Sequence, residues 1–165
     1  MTIEIIDNFI SNNEYKNLYK TISSSDFPWY FNPDKVSKND GIFQLTHCFF
    51  RDGSQSDFVY LIRSIYETLN ISAPIQIKAN TTFGRIKKLQ TDFHIDLSNL
   101  DTSKRKTAIF YLSDTNGPLL IKHKKQEIEC KQNRLVRFDS NIEHAAILHQ
   151  GDSSSRRIVI NFNYY

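Results

Sequence analysis

Thr107-Ala108-Ile109-Phe110-Tyr111-Leu112 is an uncharged run of branched and aromatic residues. Its length and composition read as a strand buried on both faces. Runs of the same character flank it. Ile75 to Thr82, Ile86 to Leu89 and Phe93 to Ile95 precede it. Leu119 to Lys122, Glu127 to Cys130, Leu135 to Phe138, Ala145 to Leu148 and Arg157 to Tyr164 follow. Turn signals separate these runs, and none shows helical spacing. Short strands in regular succession predict a sandwich or small barrel.

The chain before Pro74 reads differently. Ile3 to Ile6 is a short strand. Ser11 and Glu14 have capping-box spacing, and Tyr15, Leu18, Tyr19 and Ile22 then repeat as one helical face. Residues 26–40 carry Pro28 and Pro33 and read mostly as loop, with Trp29, Tyr30 and Phe31 expected to cover part of the core. Ile42 to Phe50 is a strand. A second helix is expected over about Asp57 to Leu69, with Phe58, Leu61, Ile62, Ile65 and Leu69 inward and Asn70 as its stop. The expected fold is mainly β with flanking helices, a jelly-roll with two N-terminal helices packed against it.

The chain has 165 residues, with 39% hydrophobic and 24% charged residues and a net charge of +3. That suits one soluble globular domain over 1–165. The basic residues form no stripe, so a nucleic-acid surface is not expected. Lys104-Arg105-Lys106 and Lys122 to Lys125 read as solvated loop or hairpin charges. Cys48 and Cys130 form no CxxC pair, no targeting segment is read after Met1, and no apolar run has the length of a membrane span. A cytoplasmic location is the expectation.

Chemistry concentrates in His94-Ile95-Asp96, His144 and Arg156-Arg157. On a strand, residues two apart share a face, so His94 and Asp96 are expected to point inward together. With His144 they make two imidazoles and a carboxylate, the ligand set that suits Fe(II) and leaves positions open. A basic residue about a dozen positions after His144 has the reach to hold the far carboxylate of an organic acid cosubstrate. A lone HxD is a weak signal; the order of HxD, strands, His and terminal Arg is the stronger one. His47 has no acidic partner two residues away, His123 lies in a Lys-rich tip, and His149 is an alternative to His144.

These residues resemble the 2-oxoglutarate- and Fe(II)-dependent dioxygenases, in particular small prolyl-hydroxylase-like members. The resemblance runs from about Ile75 to Tyr165. Phe93-His94-Ile95-Asp96 is similar to the first two ligands, and Asn133 to Ser140 to the segment leading to the distal histidine, His144. Arg157-Ile158-Val159-Ile160-Asn161-Phe162 resembles the final strand opening with the cosubstrate arginine. Asn116-Gly117-Pro118-Leu119 stands where the family has a Gly-Gly turn, and Val159 stands where it often has Ser. The resemblance implies a double-stranded β-helix core over about 75–165 with helical support over about 1–74. It also implies Fe(II) on His94, Asp96 and His144, with 2-oxoglutarate and O2 as cosubstrates. Arg157 would pair the C5 carboxylate of 2-oxoglutarate, with Tyr111 contacting the same group. Adjacent Arg156 and Arg157 must face opposite ways, and the Phe162 spacing favours Arg157.

The implied reaction hydroxylates a substrate and releases succinate and CO2. A peptidyl prolyl group leads by analogy with the family, with a free amino acid, a nucleobase or a small metabolite as alternatives. Two other functions fit the same fold. One is a non-catalytic jelly-roll binding a peptide or sugar, and the other is a cupin-like metalloenzyme that makes no use of 2-oxoglutarate.

Overall fold

The computed structural model describes residues 2–165. Among the described residues, twelve strands and two α-helices follow one another along the chain. The strands are β1 (Ile3–Ile6), β2 (Tyr30–Asn32), β3 (Gln44–Arg51), β4 (Ser54–Gln55), β5 (Pro74–Phe83), β6 (Leu89–Gln90), β7 (Lys106–Tyr111), β8 (Thr115–Ile121), β9 (Gln126–Cys130), β10 (Arg134–Asp139), β11 (His144–Leu148) and β12 (Arg156–Tyr164). Helix α1 spans Asn12–Ile22 and α2 spans Arg63–Thr68.

The strands form two antiparallel sheets. The large sheet runs β1-β10-β7-β12-β5-β3-β2, with β4 paired on β3, and the small one runs β6-β11-β8-β9. From β5 onward the chain passes between the sheets, so strands adjacent in space are distant in sequence. This is the jelly-roll pattern expected from the sequence. The sheets remain separate and do not close into a barrel.

Alternation on β12 divides the interior in two. Ile158, Ile160, Phe162 and Tyr164 face a core shared with Tyr15, Leu18, Ile22, Ile62 and Ile65 of the helical layer. Val159 faces a second core between the sheets, with Ile109, Tyr111, Leu119, Ile128 and Phe138. Burying a large apolar side chain is worth about 1.5–3 kcal/mol, so the outer core fastens the helices to the sheet while the inner one surrounds the pocket.

Helix α1 has the expected start. The Glu14 N–H donates to Ser11 Oγ at 3.3 Å and the Ser11 N–H donates to Glu14 Oε2 at 3.1 Å. Tyr15, Leu18 and Ile22 are buried; Tyr19 instead lies 40% exposed on the rim, stacked on Tyr15. The second expected helix is shorter than its apolar spacing suggests. Val59–Ile62 is a 3-10 turn, and only Arg63–Thr68 is α-helical. The apolar residues at 58, 61, 62 and 65 can face one core through either geometry, and no side chain caps an α-helix start before them. Asn70 ends this segment with φ of 51°.

Three further expectations need correction. Trp29 packs on the outer core, but Tyr30 and Phe31 are exposed because they lie on the edge strand β2. Ile86 to Leu89 gives strand only at Leu89, and Ile86 is exposed. Phe93 to Ile95 forms no strand: His94 makes a single bridge to His144, and Asp96 lies in a turn. Among the described residues no helix is long and apolar enough to cross a membrane.

Candidate metal centre

His94 and His144 are joined through the backbone before their side chains meet anything. The His94 N–H donates to the His144 carbonyl at 2.9 Å, and the His144 N–H donates to the His94 carbonyl at 3.0 Å. This reciprocal pair fixes the two imidazoles side by side, with ring centroids 4.6 Å apart. Each ring is then oriented by its own loop. His94 Nδ1 lies 3.2 Å from the Asp92 carbonyl, and His144 Nδ1 lies 3.1 Å from the Ile142 carbonyl. A carbonyl can only accept, so each Nδ1 carries a proton and each Nε2 is the nitrogen left to face the site.

Both Nε2 atoms face the same oxygen, Asp96 Oδ1, at 3.4 Å from His94 and 3.8 Å from His144. The three donor atoms lie within 4.8 Å of one another. Donors bound at right angles around one first-row ion stand roughly 3 Å apart, so small side-chain shifts suffice to close on a metal. Burial pushes the Asp96 carboxyl up, but hydrogen bonding to His94 and the charges of His144 and His94 hold it well below the usual range, with Asn163 adding a further bond. Burial pushes His144 down, against the pull of Asp96. An ionised carboxylate and neutral imidazoles are the forms a metal requires.

Asp96 reaches this position from a turn, and two features hold the turn. Leu97 takes φ of 48°, which reverses the chain. Arg105, only 1% exposed, donates from its guanidinium to the backbone carbonyls of Asp96 and Leu97. The expectation of a solvated Lys104-Arg105-Lys106 therefore fails at its middle residue: the lysines are exposed and the arginine points into the protein. The Lys122 to Lys125 tip is exposed as expected. A polar chain supports Asp96 from the other side. Asn163 Nδ2 donates to Asp96 Oδ2 at 3.4 Å, and Asn163 Oδ1 accepts from Thr107 Oγ1 at 3.1 Å.

Alternation settles which way each arginine faces. Arg157 shares the inward face of β12 with Val159, Asn161 and Asn163, is 3% exposed, and lines one cavity with His94, Asp96 and His144. Arg156 turns outward and donates to the Ser23 carbonyl at 2.8 Å, at the end of α1. Arg157 Cζ stands 5.5 Å from the centre of the Tyr111 ring. Among the described residues, Arg157 Nε and Tyr111 Oη are buried without hydrogen-bond partners, as are the side-chain oxygens of Asn80 and Asn161. Buried polar groups are seldom left unpaired; the two donors, Arg157 Nε and the Tyr111 hydroxyl, suit a carboxylate, while the two amide oxygens call for donors from a ligand or water. Burial pushes the Tyr111 phenol up, so it stays a donor.

Two of the other three histidines have structural partners. His47 lies 2.9 Å from the Pro28 carbonyl and 2.8 Å from Ser56 Oγ, within an aromatic cluster. His149 lies 3.1 Å from Ser155 Oγ and is not part of the triad. His123 is exposed. Cys48 and Cys130 are free thiols.

Two site residues escaped the sequence reading altogether. Lys35 and Lys78 line both the deep cavity and the outer cleft at the triad. Burial, then the Arg157 and Lys78 charges, lower the Lys35 ammonium to about 7. Lys78 stands on β5, where Gln76, Lys78, Asn80 and Thr82 alternate as a polar face; that pattern could have revealed it. Lys35 lies in a loop with no comparable signal.

No protein-family model and no curated protein matches the sequence. Solved structures do match in shape. The viral collagen prolyl hydroxylase of Paramecium bursaria Chlorella virus-1, in its 2-oxoglutarate complex, aligns with a TM-score of 0.63 at 16% identity, over 99% of this chain and 96% of its own. A 2OG-Fe(II) oxygenase family oxidoreductase from Burkholderia pseudomallei gives 0.70 at 8% identity, over 98% and 84%. A prolyl hydroxylase from Trichoplax adhaerens, in complex with a hypoxia-inducible-factor peptide, gives 0.66 at 17% identity, over 98% and 83%. Together these alignments show that the chain has the fold of the 2-oxoglutarate- and Fe(II)-dependent oxygenases.

Proposed function

We propose that this protein is an Fe(II)- and 2-oxoglutarate-dependent dioxygenase that hydroxylates an organic substrate. One observation carries the reading: two Nε2 atoms converge on Asp96 Oδ1 in a cavity that Arg157 also lines. His94, Asp96 and His144 are the metal ligands. Arg157 pairs the C5 carboxylate of 2-oxoglutarate, for which a guanidinium is suited because its planar fork stays charged when buried. Tyr111 donates its phenolic proton to the same carboxylate. Bound in this triad, Fe(II) supplies the O2 chemistry, by which 2-oxoglutarate becomes succinate and CO2 while the substrate gains a hydroxyl.

The remaining work belongs to the chain. The Asp92 and Ile142 carbonyls hold the imidazole tautomers, and Asn163 and Arg105 hold the carboxylate and its turn. Ile109, Leu119 and Val159 line the deep cavity and keep water from it. Peptidyl proline is the substrate that the viral and Trichoplax relatives suggest. A reducing cytoplasm is the proposed location, where Fe(II) and both free thiols persist.

The test is succinate production from 2-oxoglutarate with added Fe(II) and O2, with no substrate supplied. Slow iron-dependent turnover that disappears in His94→Ala is expected. No turnover together with no binding of 2-oxoglutarate to the Mn(II)-loaded protein would refute the reading. It would favour a binding module, or a metalloenzyme that does not use this cosubstrate.

A further inference from the structure

Lys35 and Lys78 share the triad's cleft, and neither ammonium pairs with a carboxylate among the described residues. Lys78 is set on the pocket side of β5 by strand alternation, opposite Asn161 of β12. Lys35 is held by a loop wound around one carboxylate. The N–H groups of Lys35, Val36 and Ile42 donate to Asp40 at 3.1, 2.7 and 2.9 Å. The loop is tied to β3 as well, because Gln44 Nε2 donates to the Asp34 carbonyl at 3.3 Å. The outer cleft, about 540 Å³, is lined by both lysines, His94, Asp96 and Glu143. Glu143 is already engaged by Lys122 at 2.7 Å.

Charge shows what is missing. This step rests on the oxygenase reading above. A divalent ion and Arg157 together match the charge of Asp96 and the 2-oxoglutarate dianion. The two lysines are then left over, half-buried in the same cleft; burial works against the charge of both, and an anion between them is what would hold both as ammoniums. Lysine ammoniums are strongly hydrated, and holding two together away from bulk water is unfavourable without an anion. A prolyl segment with no acidic group beside the proline would leave both unmet.

We infer that Lys35 and Lys78 form a recognition site for an oxyanion carried by the substrate, so the molecule that is hydroxylated bears a carboxylate or a phosphate close to the reacting carbon.

The test uses the full chain loaded with Mn(II) and 2-oxoglutarate. Acetate, methyl phosphate and neutral acetamide are the probes, and the broadening of their methyl proton resonances by Mn(II) reports occupancy of the cleft without turnover. Acetate or methyl phosphate should bind about tenfold or more tightly than acetamide, and the better of the two identifies carboxylate or phosphate. Lys35→Gln and Lys78→Gln should each weaken anion binding several-fold. Together they should abolish the preference, with 2-oxoglutarate affinity by calorimetry unchanged and the melting temperature not lowered. The inference is overturned if acetamide binds as well as the anions, if anion broadening survives in the double variant, or if the variants lose 2-oxoglutarate instead. In the last case the lysines serve the cosubstrate. Absence of 2-oxoglutarate binding to the unmutated protein would remove the oxygenase reading itself and this inference with it, and is distinguished by the calorimetry alone.

Discussion

Replacing Arg105 with Met should disturb the candidate metal centre from a distance. The guanidinium is almost fully buried, and its two bonds go to the backbone carbonyls of Asp96 and Leu97. Met fills comparable space but donates nothing. Two carbonyls then lose their partners in a buried turn, at about 1–3 kcal/mol each. The sum, about 2–5 kcal/mol after allowance for water entering the turn, can appear as lower global stability or as a turn that no longer presents Asp96. Groups that support metal ligands typically contribute 10- to 100-fold in affinity, so Mn(II) should bind roughly 30- to 100-fold more weakly, which is about 2–3 kcal/mol of that sum. Electron paramagnetic resonance of free Mn(II) measures the affinity directly. Melting with and without Mn(II) measures the rest, because the stabilisation a metal confers falls with its affinity. Arg105→Lys should lie between, having the charge but not the fork. An Arg105→Met protein with unchanged Mn(II) affinity and a stability loss under about 1 kcal/mol would refute the assigned role.

Four further outcomes are expected. His94→Ala and His144→Ala should each abolish iron-dependent succinate production while circular dichroism keeps the β signature; retained turnover in both would remove the triad. Arg157→Ala should raise the calorimetric Kd for 2-oxoglutarate about 100-fold or more, since removing one partner of a buried charge pair costs about 2–5 kcal/mol. Arg156→Ala should leave that Kd within about twofold while lowering the melting temperature slightly through the lost Ser23 bond; the reverse pattern would exchange their roles. Gly117→Ala should destabilise by at least about 2 kcal/mol in denaturant titration, because a Cβ there would lie 2.3 Å from the Ile147 carbonyl oxygen of the neighbouring strand; a neutral result would show that β8 can move away from β11. Lys35 ionises at about 7 in the folded metal-free protein, owing to burial and to Arg157 and Lys78, opposed by Asp96 and Asp40. Its unfolded value is higher, so the unfolded chain binds more protons and stability falls as pH drops from about 10 to 7. Lys35→Met should therefore gain on the parent across that window and hold a constant lead below it, as read by chemical denaturation.

Much of the fold was legible because strand composition and alternation are local. β5, β7, β10 and β12 lie where apolar runs predicted them, and β12 carries its inward arginine at the expected register. The convergence of His94, Asp96 and His144 was legible from residue type and order. The reason given for it was only partly right: no strand holds His94 and Asp96 on one face, and a backbone bridge and a turn bring them together instead. That turn depends on Arg105, nine positions further on, whose burial is hidden between two exposed lysines. The short α2 was overread because a 3-10 turn and an α-helix satisfy the same apolar spacing. Lys35 had no local signal, since its place is set by how Asp40 gathers the loop.

The outermost strand of the sheet, β2, leaves its aromatic side chains in water, with Tyr30 at 64% and Phe31 at 69% exposure. An uncovered strand flank offers free backbone donors and acceptors to any extended chain that arrives. At high concentration this flank is where copies of the protein should begin to adhere. Phe31→Lys should therefore keep concentrated preparations clear.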